Sequence, residues 1–342
     1  MFLISYHGGA PGAQHNNLHA YDDRGRRLSA GVLRLQPGTQ LAELRGIYIN
    51  QGYLYVVNGG KTVSDILCFS GSGTSYTQAP GTFASGAAIN SLKHPFALAF
   101  AGSRCFVSNQ DTNVVAMLTT ASPTEASATT GAAASYLAQL SPAGAFLDGT
   151  FVASANGALP GLPPTTPVPS HLGGLKVGIV AGKVQHSVRD LVLAGPGESG
   201  PTLLFVADEP GNRVRLYDPA TGQPRGVSSK VAAPTHLLAS GDRLFVSAGN
   251  QILSAPLVSQ PGASASDVCL DLQPVAYTLP GKLDRTKVAF SGMTVDAAGN
   301  FYVALRKPSR IVQFAGGDFT RSSLWLKCPK HASPEFILYV RS

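Results

Sequence analysis

Charge is scarce in this chain. Asp, Glu, Lys and Arg make up 13% of its 342 residues, about half the roughly 25% usual in a soluble protein. Much of the surface must therefore be Ser, Thr, Gly, Ala and Gln. No apolar run reaches the roughly 18 residues a membrane-spanning helix needs, and no Asn-x-Ser/Thr sequon occurs. Residues 1–7 have no basic stretch and only three apolar residues after Met1, unlike a secretory leader. The four cysteines, Cys68, Cys105, Cys269 and Cys328, lie far apart with no Cys-x-x-Cys pair. They read as thiols of a reducing compartment, two long-range disulfides being the alternative. The resulting expectation is a cytoplasmic protein with no membrane partner. Gly-x-Ser-x-Gly, Walker-type, dinucleotide-binding and His-Glu-x-x-His motifs are all missing, so no enzyme class is indicated by motif.

The formal net charge is +7, but the bases are scattered. The densest groups are Arg24, Arg26 and Arg27, and then Arg306, Lys307 and Arg310. Neither group is interleaved with aromatics, which argues against a nucleic-acid partner. A mildly basic funnel for an anionic ligand is compatible with this distribution.

Glycine (38) and proline (24) are abundant, as many short strands joined by turns require. One pattern recurs: an aromatic or Leu, then Val or Ile, a small residue, and a turn former. It appears at Leu3–Tyr6, Tyr55–Asn58, Phe106–Asn109, Phe205–Asp208, Phe245–Ala248 and Tyr302–Leu305. An alternating strand precedes most copies, as in Arg45–Ile49, Phe96–Phe100, Arg189–Leu193, Thr235–Ala239 and Ser291–Val295. A second apolar run follows, as in Ile66–Phe69, Val114–Met117 and Ile311–Phe314. Period-2 alternation bounded by turn residues identifies half-buried strands, and the repeated three- to four-stranded unit identifies an all-β propeller blade.

Six blades are expected. The copies begin at residues 3, 55, 106, 205, 245 and 302, and the long third interval contains an Ala/Ser/Thr-rich and a Pro/Gly-rich stretch. These are read as an insertion at 118–186 within blade 3 of a single domain. A hidden blade around Gly149–Ser154, making seven, is the alternative. Met1–Tyr6 looks like a second strand with nothing before it, and Glu335–Val340 like an innermost strand with nothing after it. Pairing the two in blade 1 would close the ring and remove its exposed edges.

Phe290-Ser-Gly-Met-Thr-Val-Asp-Ala-Ala-Gly-Asn-Phe-Tyr-Val-Ala-Leu305 resembles an NHL-type repeat and a blade of the gluconolactonase (regucalcin)-like propellers, and Phe205–Asp218 is similar. The resemblance recurs along most of the chain outside the insertion, and it bears on fold more than on function. In the gluconolactonase-like family, Glu, Asn and Asp opening innermost strands hold a divalent cation. The corresponding residues here are Arg45, Phe96, Arg189, Thr235 and Ser291, with no carboxylate among them. A hard cation needs several oxygen ligands, so no cofactor is expected, and the divalent metal the resemblance implies lacks support.

The resemblance also places ligands over the central channel, near residues that open innermost strands or end second strands. Histidines His94, His186 and His236 are candidate catalytic groups there, since imidazole exchanges protons near neutral pH; capping of their own strands is the plainer reading. Arg45, Arg189 and Asp190 are candidate ligand contacts, because a guanidinium fork suits carboxylate or phosphate; an Arg–Asp clamp between blades competes with that role. Asn58, Asn109, Asp208 and Glu209 complete the set at the rim, although an Asx residue at a strand end commonly bonds the following turn. The expected function is binding of a small polar or anionic molecule at the channel mouth, extending to hydrolase or lyase chemistry. A non-catalytic scaffold gripping a protein partner is the alternative.

Overall fold

The computed structural model describes all residues except 8–14, 61–62, 88, 90–91, 103, 112–113, 120–134, 141–145, 148–178, 181–182, 185–186, 196–201, 221, 223, 258–267, 330–331 and 342. Six largely antiparallel sheets of four or more strands form a ring. Their innermost strands are Ser333–Tyr339 (blade 1), Leu44–Asn50 (blade 2), Pro95–Ala101 (blade 3), Val188–Ala194 (blade 4), Pro234–Ser240 (blade 5) and Ala289–Val295 (blade 6). Each packs against the next in that order, and blade 6 returns to blade 1. Blade 3 adjoins blade 4 directly, so the ring has six blades. Gly149–Ser154, the proposed core of a seventh, lies outside the described residues.

Closure is as the sequence predicts. The N-terminal strand Phe2–His7 runs antiparallel to Ser333–Tyr339, with Phe2 opposite Tyr339 and Ile4 opposite Ile337. The first part of the region assigned to an insertion belongs to blade 3 itself: Ser135–Leu140 pairs with Val114–Thr119 as a fourth strand. Most of the remainder lies outside the described residues.

The recurring aromatic-Val-small pattern follows from strand geometry. Side chains along a strand alternate between two faces, and each blade is packed on both. In blade 2, Leu54 and Val56 pack toward blade 1, while Tyr55 and Val57 pack toward blade 3. In blade 4, Leu204 and Val206 face blade 3, while Phe205 and Ala207 face blade 5. A second strand buried on both faces reads as an unbroken apolar run, as these do.

All six blades carry a register shift between the innermost and second strands near the channel mouth. The shifts fall at Leu44/Ile47, Pro95/Leu98, Val188/Leu191, Pro234/His236 and Phe290/Met293, and in blade 1 at Ser5/Tyr6. A bulge bends the strand and re-aims its side chains. In blades 1, 3 and 5 a second-strand serine accepts from a backbone N–H at the irregularity: Ser5 from Phe336, Ser108 from Ala97 and Ser247 from His236.

Two glycines let neighbouring blades approach at this level. A Cβ on Gly46 would lie 2.9 Å from the Ala97 Cα, and one on Gly292 would lie 2.5 Å from the Glu335 carbonyl oxygen. Both obstacles are backbone, which cannot swing aside. Gly292→Ala and Gly46→Ala should each cost about 1–3 kcal/mol through overpacking, read as a lowered Tm and denaturation midpoint. A loss below about 0.5 kcal/mol, the ordinary range for surface changes, would contradict the close approach of the innermost strands.

Candidate functional site

The bulges gather side chains from every blade at the channel mouth. At the centre is Glu335, fully buried on the strand that closes the ring. Its Oε2 lies 3.0 Å from Arg306 Nη2 of blade 6 and 3.6 Å from Arg45 Nη1 of blade 2. Its Oε1 lies 3.6 Å from His236 Nε2 of blade 5. The other ring nitrogen, Nδ1, is 3.5 Å from Asp190 Oδ2 of blade 4. At 3.5–3.6 Å these contacts are ion pairs rather than close hydrogen bonds. Five blades thus meet in one chain of charges.

Burial pushes the Glu335 carboxyl up, but Arg306, His236 and Arg45 outweigh it and hold the group well below the carboxylate range. For His236, burial disfavours the imidazolium, yet Asp190 and Glu335 overcome it and raise the pKa. Burial also lowers the Arg45 guanidinium, against the pull of Glu335 and Glu43.

An aromatic floor underlies these groups. Phe96 of blade 3, His236 of blade 5 and Phe336 of blade 1 form a triangle, with centroids 5.3 Å (Phe96–His236), 5.2 Å (Phe96–Phe336) and 4.6 Å (His236–Phe336) apart. The Arg45 and Arg189 guanidinium carbons lie 5.7 and 5.5 Å from the Phe96 centroid, within cation–π range. Arg189 Nε donates to Glu209 Oε2 at 2.7 Å, and Nη1 donates to the Gln110 side chain. Arg45 Nη2 donates to Glu43 Oε2 at 2.6 Å. His7 Nδ1, 3.4 Å from the same oxygen, is the main influence holding Glu43 down to about 2, against burial and with help from Arg45.

The structure therefore brings together Arg45, Arg189, Asp190, Glu209 and His236 from the sequence-predicted set. Asp190 does clamp blades, but through backbone: its Oδ1 accepts from Leu191 N and its Oδ2 from Leu237 N of the next blade. Arg189 pairs with Glu209 instead of Asp190. His94 stands at the rim between blades 2 and 3, with φ +50° and Nδ1 3.2 Å from Asp111 Oδ1. His186 lies outside the described residues.

The three Asx residues bond loop backbone. Asn58 Oδ1 accepts from Ala42 N, and Asn109 Oδ1 accepts from Lys93 N, each sixteen residues upstream. Asp208 accepts from Gly211 N and pairs with Arg215 at 2.5 Å. Glu43 and Gln110 carry no motif and sit in loops, so sequence reasoning had no means of finding them. Glu335 was visible only as the first residue of an innermost strand, and Arg306 only as one of a group of bases.

A divalent-metal site of the gluconolactonase kind does not fit these residues. Glu335 does open an innermost strand, but its neighbours are two guanidinium groups and an imidazole, which repel a cation. Among the described residues, no group of three or more His, Cys, Asp or Glu could hold a metal.

No protein-family model and no curated protein matches the chain. Solved structures do. A protein from Lactobacillus plantarum is similar with a TM-score of 0.54 and 15% identity, over 94% of this chain and 80% of that one. A candidate 6-phosphogluconolactonase from Bacteroides uniformis aligns with a TM-score of 0.51 and 11% identity, over 94% and 80%. Another from Bacteroides fragilis gives 0.51 and 11%, over 94% and 81%. At such identities the likeness concerns architecture alone, and it agrees with the ring of blades: the chain is a six-bladed β-propeller with lactonase-like propellers among its structural neighbours.

Proposed function

We propose that this propeller binds a small polar molecule bearing an anionic group, seated at the channel mouth. The observation that carries this reading is the meeting of three guanidinium groups, Arg45, Arg189 and Arg306, from alternate blades above the Phe96–His236–Phe336 floor. Their accessibility differs. Side-chain exposure is 5% for Arg45, 19% for Arg189 and 31% for Arg306. Arg45 and Arg189 are held by Glu43 and Glu209, so Arg306 is the group that meets a ligand from solvent. An acid–base step of the hydrolase or lyase kind would fall to His94, half-buried at the rim beside Asp111. His236 is poorly suited to one, with each ring nitrogen facing a buried carboxylate. The four free cysteines, three of them buried, support a cytoplasmic setting.

A thermal-shift screen of carboxylate and phosphate metabolites against the intact chain tests the reading. At least one anion should raise Tm, since ligand at 100 times Kd adds about 2.7 kcal/mol. Arg306→Lys keeps the positive charge beside Glu335 but removes the fork, and should weaken that ligand about tenfold. A screen in which no anion raises Tm would leave the rim as a protein-gripping surface and overturn the proposal.

The central charges should act on stability. His236→Gln and Glu335→Gln each leave a buried partner charge uncompensated, with an expected cost of about 3–5 kcal/mol. Because the folded pKa of His236 is raised from 6.5, its contribution is complete below about pH 6.5 and is lost as pH rises through the folded value. Glu335 has the opposite sign: its contribution is present above the ordinary 4.5 and is lost only as pH falls through its depressed folded value. Urea denaturation across pH 5–9 should show the alkaline loss in the parent and not in His236→Gln. A His236→Gln protein of parental stability would instead place His236 among the ligand-handling groups.

A further inference from the structure

The chain is sparing with charge, at 13% of its residues and a net +7, yet six bases crowd the mouth-side edge of blade 6. Lys282, Arg285 and Lys287 lie on the loop that enters its innermost strand. Lys307 ends the second strand, Phe301–Lys307, Arg310 opens the third, Arg310–Phe314, and Lys327 ends the fourth, Ser322–Lys327. The one acid on these segments is Asp284, 3.4 Å from Lys287. Six bases with one acid leave +5 of the chain's +7 at this edge.

Register fixes where these groups stand. Lys307 is opposite Ala289, Leu305 opposite Arg310, and Arg310 opposite Lys327. Residues directly opposite each other share a face of the sheet. Arg310 and Lys327 therefore lie with Leu305 on the face turned to blade 5, where Leu305 packs in one core with Phe290 and Tyr277. The entry loop reaches the same place. The Arg285 guanidinium carbon lies 4.1 Å from the Tyr277 ring centroid, and Asn250 Nδ2 of blade 5 donates to the Arg285 carbonyl at 3.0 Å. Arg306 points elsewhere, to Glu335 of blade 1, so the patch is separate from the channel mouth.

Like charges opposite each other on adjacent strands destabilise a sheet, and Arg310 and Lys327 are such a pair. Of the six bases, only Lys287 has a carboxylate partner among the described residues. Lys282, Arg285, Lys307 and Lys327 are exposed and Arg310 is half-buried. From the innermost strand to the fourth the patch spans about 14 Å, at about 4.8 Å per strand, which is too wide for one small anion. Four of the six bases are lysines, flexible point charges and not the rigid forks that suit a fixed phosphate. The aromatics beneath them, Tyr277 and Phe290, are buried, so neither offers a ring on which a nucleic-acid base could stack.

We infer that this edge of blade 6 docks an extended segment of a partner protein rich in Asp and Glu. Unpaired, exposed lysines spread over a loop and three strands match a run of carboxylates in charge and in extent. The docking is independent of the proposed channel-mouth binding and goes beyond it.

Fluorescence anisotropy of a labelled oligoglutamate peptide titrated with the intact chain tests this. The peptide should bind at low salt and weaken steeply as salt rises, since exposed charges are screened. The triple variant Lys282→Gln/Lys307→Gln/Lys327→Gln should weaken it about tenfold, as the loss of three exposed ion pairs implies. Arg24→Gln/Arg27→Gln/Lys230→Gln removes the same charge from exposed residues outside blade 6 and should change affinity by less than about twofold. The first variant should melt no lower than the parent, since it relieves a repulsion; a lower Tm would make its lysines structural and sink the inference. Equal losses in the two triple variants would mean that net charge alone attracts the peptide, and a peptide that does not bind at low salt removes the partner; either result overturns the docking edge. So does an oligonucleotide of equal charge, or a phosphatidylserine vesicle, that binds more tightly than the peptide. Arg306→Lys should leave peptide affinity unchanged. If it weakens the peptide as much as the blade 6 triple variant does, the acids sit in the channel mouth, and the docking edge falls while channel-mouth binding stands.

Discussion

The buried carboxylate of Glu335 constrains everything around the axis. It sits on the last strand, the one that closes the ring, and reaches Arg45 in blade 2, Arg306 in blade 6 and His236 in blade 5. Taking an ion out of water costs several kcal/mol even after relaxation, and the cost is offset only when its partners are in place. Here the partners come from three other blades, so the offset exists only in the closed ring. A one-residue slip of the closing strand would exchange the faces of Glu335 and Phe336. That slip would leave the carboxylate unpaired and remove Phe336 from the aromatic floor. The apolar pattern on the N-terminal strand makes pairing favourable, and the charge chain makes one register the favourable one.

The architecture was legible because it rests on a local rule applied six times. A strand buried on both faces needs an apolar run, and a turn needs Gly, Asn or Asp; each copy of the repeat states both conditions again. Terminal closure could be read for the same reason, since Phe2–His7 carries the pattern of a second strand and Ser333–Tyr339 that of an innermost one, and the two pair. Part of the blade 3 region was harder to read. Ser135–Leu140 follows directly on the Ala/Ser/Thr-rich stretch and reads with it as insertion. Nevertheless it pairs with Val114–Thr119, whose backbone groups need a partner whatever side chains the partner bears.

The site was only partly legible, and its residues show why. Arg45, Arg189 and His236 could be named because they open innermost strands. Alternation alone, however, would have let only one of Arg189 and Asp190 face the axis. Both nevertheless reach the mouth, because the two faces of blade 4 look toward its neighbouring blades: Arg189 lies over Phe96 of blade 3, while Asp190 bonds Leu237 of blade 5 and faces His236. Bulges have no sequence signature of their own here. Nor could the repeat reveal that Asn58 and Asn109 accept from loop backbone sixteen residues upstream, a role that follows from the path of the loops and not from residue type.

Convergence from non-equivalent positions explains the rest. In blades 2 and 4 the guanidinium comes from the innermost strand, as Arg45 and Arg189. In blade 6 that position is Ser291, whose hydroxyl donates to the Pro334 carbonyl at 2.8 Å and ties the blade to the closing strand. The next residue is Gly292, which has no side chain and lets the backbone of blade 1 come close. A long side chain from Gly292 would strike that backbone, and the guanidinium of blade 6 arrives from one strand further out, as Arg306. Because it comes from the second strand, Arg306 reaches Glu335 and still keeps the greatest exposure of the three arginines. The same displacement puts it at the head of the hairpin that carries Arg310. The tight packing that closes the ring at blade 6 therefore also sets where that blade's guanidinium stands, on the second strand and nearer solvent than Arg45 or Arg189.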